Sequence, residues 1–364
     1  MSEFFVLKSI DLALHEATRK ISFLAINPNN ITEEKQKVFA DENYNPQFRY
    51  GNLPHDPDKV EEELNAVDDH DSVLGSLLAQ KRDVFIDKCE MMRRIGTSKF
   101  NVFAKKVCGF PKASTLARAA ELMSFEPQNE ESAVSTAQAV NLIRAELIHY
   151  GFPYMVKQKE MSSLAAVSVA DQCVFVRKDA TFSHRYIQRL IVHEIGTHVL
   201  RAENGRAQPF WIFFSGFPQY LATEEGLAVF NEERFGLLTA GTMRLYAARA
   251  IAVKMGQDRS FSKTYKYFRG RLGDDAAFKL ALRVKRGLAD TSKRGGFPKD
   301  FVYLEGYLAV KKFLEDNGKD NGTMQDLYYG KIGVDHVPLL AEVTGLSRPR
   351  FLPKNQGFAD LTRF

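Results

Sequence analysis

Two histidines and a glutamate lie in an otherwise apolar helical segment, in the hexapeptide His-Glu-Ile-Gly-Thr-His at residues 193–198. Ser183 is placed to cap the start of this helix, and Gly205 is expected to follow its end. Phe182 and Ile187 have the spacing of a hydrophobic staple. Neutral imidazoles bind zinc well, and a catalytic zinc takes three protein ligands and keeps a fourth position for water. The segment therefore predicts a metal-binding helix that carries its own general base.

The two histidines, His193 and His198, are five residues apart. The common H-E-x-x-H motif places its histidines four apart. On an ideal helix the longer spacing would separate them by roughly 140°. A π-bulge, a feature often found at functional sites, would let both reach one metal ion. We therefore expect a bulge near residues 195–197, where Gly196 lowers the cost of the distortion. The alternative is that one histidine binds nothing and the other is a satisfied core residue.

A second helix is predicted at residues 223–233, after a proline-containing loop, with two adjacent carboxylates in its first turn. Glu-type zinc proteases complete their site with a ligand from such a downstream helix. We predict Glu225 as this ligand, because Gly226 beside it would let the helices approach closely, and Glu224 is the alternative. Carboxylates are also favourable at a helix start without any metal. Three polar residues of the same helix are candidates to orient the histidines: Asn231, Glu232 and Glu233.

Three stretches of the sequence resemble the family of microtubule-associated tyrosine carboxypeptidases and their bacterial relatives. They are LIVHEIGTHVLRAENGRAQPF (190–210), GFPQYLATEEGLAVFNEE (216–233) and GGFPKDFVYLEGYL (295–308). That family carries an H-E-x-x-x-H motif and a downstream E-G-L-A motif, and its animal members remove a C-terminal tyrosine from tubulin. The resemblance implies one zinc ion on His193, His198 and Glu225, with Glu194 as the general base.

The resemblance also implies the reaction, which is removal of a C-terminal residue, Tyr or Phe, from peptides or protein tails. Zinc would acidify a water molecule, Glu194 would accept its proton, and the oxyanion that forms would need a second donor. Tyr303, in the third resembling stretch, is the candidate donor, although such a tyrosine can also simply pack. A cationic side chain would hold the terminal carboxylate. The candidates in the basic region are Arg286, Arg294 and Lys299.

Other functions fit parts of the sequence. The same zinc machinery would serve an endopeptidase or an aminopeptidase. A non-enzymatic protein could instead bind acidic partners through the basic region 244–294, which has fourteen Lys and Arg against four Asp and Glu. These cations follow helical spacing without a compact run, which disfavours nucleic acid as a partner. An acidic peptide tail fits better.

Helical patterns dominate the chain and predict an α+β fold class that is mainly helical. Periodic apolar positions indicate helices at residues 10–21, 59–65, 71–96, 114–125, 134–150, 240–254, 276–288 and 300–314. Residues 165–169 and 173–176 predict a β-hairpin just before the metal helix. Its edge strand could pair with an extended substrate, or it could only pack against the helix. We expect a Glu-type zinc metallopeptidase core with this small sheet beside the metal helix.

A polar loop at residues 127–131 predicts a boundary between an N-terminal mainly helical region (1–130) and a zinc peptidase catalytic region (131–364). The two regions could also pack as one compact unit. No apolar run reaches the roughly 18 residues of a membrane span. Cys89, Cys108 and Cys173 are widely spaced and odd in number, which indicates structural thiols in a reduced compartment. We therefore expect a cytoplasmic protein without membrane contact.

Overall fold

The computed structural model of the chain describes residues 2–126, 133–161, 164–318 and 321–354. It shows a mainly helical protein with small sheets, which confirms the α+β class. The predicted loop at 127–131, and with it the predicted boundary between residues 130 and 131, lies outside the described residues. Within the described ranges, every helix is too short or too polar to cross a membrane.

Helices make up most of the chain, and short strands interrupt them after α6. The first helices are α1 (Glu3–Thr18), α2 (Ile31–Ala40), α3 (Pro57–Asn65), α4 (Val73–Arg93), α5 (Phe100–Cys108), α6 (Ala113–Leu122) and α7 (Thr136–His149). The strands are β1 (Val134–Ser135), β2 (Met155–Lys159), β3 (Ala165–Ser168), β4 (Cys173–Arg177) and β5 (Thr181–Phe182). The remaining helices are α8 (His184–His193), α9 (Leu200–Arg206), α10 (Ile212–Ser215), α11 (Leu221–Arg234), α12 (Ala240–Asp258), α13 (Phe261–Leu272), α14 (Asp274–Lys285), α15 (Val302–Asn317) and α16 (Asn321–Asp326).

The chain forms two compact units, and each combines two segments of the sequence. The first unit is Met1–Phe125 with Arg244–Glu305, and the second is Glu126–Met243 with Gly306–Phe364. In the first unit, backbone hydrogen bonds join the two segments, such as the one that the Gly96 N–H donates to the Gly287 carbonyl at 2.8 Å. Buried apolar residues from both segments form its core, among them Met91, Phe100, Leu288 and Phe297.

The second unit is organised around one long helix. This helix, the metal helix, consists of α8, a π-helical segment (Glu194–Val199) and α9. The Ser183 hydroxyl caps its start by accepting a hydrogen bond from the Tyr186 N–H at 3.0 Å, as predicted. One face buries Ile187, Ile191 and Ile195 in the core of the unit. The rest of this core comes mainly from α7, β4, α11 and α15.

The three-stranded sheet has the order β2–β4–β3. The predicted hairpin is confirmed as β3 and β4, which pair antiparallel with Ala166 opposite Phe175. The sequence did not predict β2, which pairs with β4 in parallel. Strand β3 therefore lies at an edge of the sheet, and it packs beside the π-helical segment. This is the edge to which we expected that an extended peptide could add.

The predicted end of the metal helix was wrong. Gly205 lies inside α9, which continues to Arg206. A Cβ atom on Gly205 would come within 2.3 Å of the Phe213 carbonyl oxygen. The glycine is therefore needed for the close approach of the α10 segment and does not terminate the helix.

Candidate metal centre

The five-residue spacing of the histidines is accommodated by a local change of helix type. The segment Glu194–Val199 is π-helical, which confirms the bulge expected near residues 195–197. Each turn of a π-helix takes up more residues than a turn of an α-helix, so residues five apart come to the same face. The ring centroids of His193 and His198 consequently lie 5.0 Å apart.

Buried side chains hold the π-helical segment in place. The Tyr328 hydroxyl donates a hydrogen bond to the Gly196 carbonyl at 2.9 Å. The Thr197 hydroxyl donates to the Val192 carbonyl at 3.3 Å. The side-chain amide of Asn231, on α11, donates to the Thr197 hydroxyl and to the Tyr328 hydroxyl, each at 2.8 Å. Because α11 also carries Glu225, this network fixes the metal helix and the neighbouring helix relative to each other.

Three potential ligand atoms converge at the histidines. Glu225 Oε2 lies 3.6 Å from His193 Nε2 and 3.8 Å from His198 Nε2. One ligand atom from each of the three residues falls within 4.8 Å of the others. Atoms each about 2.1 Å from a tetrahedral zinc ion are about 3.4 Å apart. The donor set, two imidazoles and a carboxylate, and its spacing therefore fit one such metal ion.

A carboxylate orients each histidine ring through a contact with its Nδ1 atom. His193 Nδ1 lies 2.7 Å from Glu232 Oε1, and His198 Nδ1 lies 3.0 Å from Glu224 Oε1. An ionised carboxylate can only accept hydrogen bonds, so each Nδ1 carries the proton and donates it. In a neutral imidazole this leaves Nε2 with its lone pair, facing Glu225. Carboxylate–histidine pairs of this kind are typical of metal sites.

Arginines complete the support of these carboxylates. Arg201, fully buried on the metal helix, donates to Glu224 and also to the carbonyls of Leu327 at 2.9 Å and Ile332 at 2.5 Å. Burial would raise the pKa of Glu224, but Arg201 and His198 lower it to about 2. Glu224, the alternative ligand, thus faces His198 Nδ1 as an anion in this structure. Arg189 donates to Glu232 at 3.2 Å.

The cluster attracts positive charge. Burial lowers the pKa of His193, but the neighbouring carboxylates of Glu225 and Glu232 outweigh this effect and raise the pKa to about 10. The metal-free site therefore retains a proton that a metal ion would have to displace.

Gly226 allows a close helix crossing, but not the one expected from the sequence. A Cβ atom on Gly226 would lie 2.0 Å from the carbonyl carbon of Gly306. A Cβ atom on Gly306 would lie 1.8 Å from the Ala222 carbonyl oxygen. The close partner of α11 at this glycine is therefore α15, not the metal helix. The crossing still sets the position of the turn that carries Glu225.

This cluster of possible metal ligands occurs in a chain that resembles one known family over most of its length. The sequence profile of the family described as microtubule-associated tyrosine carboxypeptidase matches residues 36–361. The chain belongs to this family.

Relatives in the family are similar at modest identity. MATCAP2 of Mus musculus is 26% identical over 355 residues, which cover 90% of this chain and 58% of that protein. Microtubule-associated tyrosine carboxypeptidase 1 of Rattus norvegicus is 26% identical over 303 residues, covering 79% of this chain and 56% of that protein. The human protein of the same name is 31% identical over 163 residues, covering 42% and 33%. The chain thus spans less than two thirds of the length of these relatives.

Several residues singled out from the sequence lie in the other compact unit from the metal cluster, and their roles stay predictions. They are Tyr303, Arg286, Arg294 and Lys299. Tyr303 stacks on Tyr246 with ring centroids 5.3 Å apart, and the Arg249 guanidinium lies 4.3 Å from the Tyr303 ring. Arg286 donates to Asn27 at 3.0 Å, whereas Arg294 is exposed and Lys299 is half-buried.

In the second unit, the predicted general base Glu194 is half-buried and lies within electrostatic range of His193. Of the three residues proposed to orient the histidines, only Glu232 contacts an imidazole directly. Asn231 acts on the π-helical segment, and Glu233 pairs with Lys311 at 2.9 Å.

Sequence reasoning missed three residues of this region: Arg201, Tyr328 and Lys331. Arg201 carried a weak signal, since an arginine three positions after His198 follows the apolar residues Val199 and Leu200. The sequence around Tyr328 and Lys331 gave no signal of their roles, because only the fold brings residues 327–334 to the metal helix and α11.

Proposed function

We propose that the chain is a zinc-dependent carboxypeptidase that removes a C-terminal residue, Tyr or Phe, from peptides or protein tails. The observation that carries this proposal is the convergence of His193, His198 and Glu225, with both imidazoles held by carboxylates on their far side. The donor set supports zinc, which favours nitrogen and carboxylate ligands in tetrahedral sites. The names of the relatives support carboxypeptidase activity.

Glu194 is proposed as the general base. Bound zinc would lower the pKa of a water molecule to near neutrality and polarise the scissile carbonyl. Glu194 follows the ligand His193 directly in the chain and is only half-buried, so its carboxylate is available to accept a proton from that water. The same residue would then return the proton to the leaving amine. Tyr303 remains the candidate for a second donor to the oxyanion.

The edge of the small sheet supports peptide binding. Within the part of the chain that the structure describes, strand β3 pairs with β4 on one side only, and it packs beside the π-helical segment. An extended peptide can add to such an edge through backbone hydrogen bonds. The substrate backbone would then run along β3, next to the histidines. This role makes the strand part of the proposed binding site and not only a packing element.

The substrate is proposed to be a protein tail. Two relatives are named as microtubule-associated, which favours the C-terminal tails of tubulin. Arg286, Arg294 and Lys299 stay the candidates that the sequence offers for binding the terminal carboxylate of such a tail. The three cysteines are unpaired thiols, which supports the cytoplasm as the proposed location.

The non-enzymatic alternative relies on the basic region 244–294, and some of its charges serve internal contacts. Lys285 is fully buried and donates to the carbonyls of Gly256, Lys293 and Gly295 at 2.6–3.0 Å. Arg283 pairs with the buried Asp300. Fewer cations are therefore available to an acidic partner than the sequence suggests.

The test of the proposed function is a cleavage assay read by mass spectrometry. The zinc-loaded protein is given a peptide ending in a free tyrosine, the same peptide with a C-terminal amide, and one with a blocked N-terminus. Loss of the final residue from the free-acid peptides, with or without the N-terminal block, supports a carboxypeptidase. Glu194→Gln should abolish this activity, while Glu160→Gln, at an exposed glutamate of the same unit, should not. Internal cleavage, or a requirement for a free N-terminus, would favour an endopeptidase or aminopeptidase.

A further inference from the structure

The segment between Gly330 and Val334 is fastened to the residues that build the metal centre. The Lys331 N–H donates to the Phe213 carbonyl at 2.7 Å, and the Lys331 carbonyl accepts from the Phe217 N–H at 2.9 Å. The Val334 N–H donates to the Thr223 hydroxyl at 3.0 Å. The Ile332 carbonyl is one of the acceptors of Arg201. The backbone of Lys331 is therefore fixed beside the start of α11.

The Lys331 side chain carries a positive charge beside the start of α11. It is half-buried, and its ammonium lies within electrostatic range of both Glu224 and Glu225. Glu224 is already hydrogen-bonded to Arg201 and His198, and Glu225 faces the two histidine Nε2 atoms. Among the residues that the structure describes, no carboxylate forms an ion pair with Lys331. The ammonium is thus a cation close to the metal cluster that no neighbouring acid within those residues neutralises directly.

Apolar neighbours partly shield the Lys331 ammonium from water. Its ammonium lies 6.0 Å from the centre of the Phe214 ring, and Phe213 and Phe217, which fix its backbone, are buried. Burial lowers the pKa of Lys331, so the charged form lacks the solvation it would have in water. Partial exclusion of water also strengthens any ion pair formed there.

We propose that Lys331 binds the terminal carboxylate of the residue that is removed. This inference rests on the proposed carboxypeptidase function and adds a specificity-determining residue to it. The carboxylate of a C-terminal residue lies one residue beyond the scissile bond, so its binding group must lie near the metal ligands but must not be one of them. Lys331 meets this requirement within the same compact unit. Its ammonium would donate hydrogen bonds to the carboxylate and select chains with a free C-terminus.

The experiment compares kcat/KM of zinc-loaded wild type, Lys331→Met and Lys331→Arg on an acetylated peptide ending in free tyrosine and on the same peptide ending in tyrosine amide. Lys331→Met should lower kcat/KM on the free-acid peptide at least about tenfold, mainly through KM, because a hydrogen bond to a charged group is lost. Its rate on the amide and its metal content should be unchanged. Lys331→Arg should retain most of the preference for the free acid. Lys312→Met, at an exposed lysine of α15, is the matched control and should behave as wild type.

An unchanged free-acid preference in Lys331→Met would overturn the inference and leave the proposed function intact. Equal losses on both peptides, or loss of metal, would also overturn it, because they indicate a structural role. A wild type that cleaves neither peptide would remove the proposed function and the inference together. If Lys331→Met does not fold, the second test compares how strongly N-acetyl-tyrosine and N-acetyl-tyrosinamide inhibit the wild type. Stronger inhibition by the acid that disappears in Lys331→Gln supports the inference, and equal inhibition of wild type overturns it.

Discussion

Gly226 and Gly306 face each other where α11 crosses α15, so closely that a Cβ atom on Gly226 would lie 2.0 Å from the Gly306 carbonyl carbon. The crossing joins the E-G-L-A stretch to the third of the three family-like stretches, at the residue next to Glu225. A glycine at each position is therefore required by packing. The contact also positions the turn that carries the proposed third ligand.

Gly226→Ala is expected to destabilise the protein by roughly 1–3 kcal/mol or more, because backbone on both sides must move to admit the methyl group. Gly270→Ala is the matched control, since Gly270 is also helical and a Cβ atom there would meet nothing within 4 Å. That variant should be unchanged or up to about 1 kcal/mol more stable. Urea unfolding of the three proteins checks the prediction, and equal midpoints for Gly226→Ala and wild type would contradict it.

Glu232→Gln and Glu224→Gln should each weaken zinc affinity about 10- to 100-fold, because each removes the carboxylate that orients a histidine. The measurement is competition for zinc with a chelating dye. Glu233→Gln, on the same helix but paired with Lys311, should bind zinc as wild type does. If all three variants bound zinc equally, the orienting role of Glu224 and Glu232 would be wrong.

The burial and ion pairing of Asp300 predict that the free energy of unfolding depends on pH. Burial alone would raise its pKa, but Arg283, hydrogen-bonded to it at 2.9 Å, and then Arg286 hold the pKa of this carboxyl well below its usual range. The unfolded chain titrates near pH 3.9, so the stabilisation is complete above about pH 4 and is lost as the pH falls towards the lower folded pKa.

Asp300→Asn should therefore cost roughly 3 kcal/mol at pH 7, because it leaves partly buried arginines without a counter-charge. The difference in the free energy of unfolding between this variant and wild type should shrink when the pH is lowered below about 4. Urea unfolding at several pH values measures it, with the exposed Asp316→Asn as control. A difference that stays constant down to pH 3 would show that the charge of Asp300 does not matter.

The features that the sequence predicted correctly are local ones. The histidine spacing together with Gly196 predicts the π-helical segment, and the two apolar runs with a turn predict the hairpin of β3 and β4. In both cases the residues that determine the structure are neighbours in the chain. The cap at Ser183 belongs to the same class.

The features that were missed depend on contacts between distant residues. Strand β2 is mostly exposed and polar, and it is a strand only because β4 lies beside it. Glu224, predicted only as the alternative ligand, instead faces Nδ1 of His198, and this contact depends on how α11 packs against the metal helix. Likewise, the partner of Gly226 could not be known before α15 was placed against α11.

His193, His198 and Glu225 are proposed to bind one zinc ion, and the most direct test is the zinc content of purified, zinc-equilibrated protein by mass spectrometry. Wild type and the control His184→Ala, at an exposed histidine of α8, should carry about one zinc per chain. His198→Ala and Glu225→Ala should lose it. A wild type without zinc, or a His198→Ala variant that keeps a full equivalent, would contradict this ligand assignment.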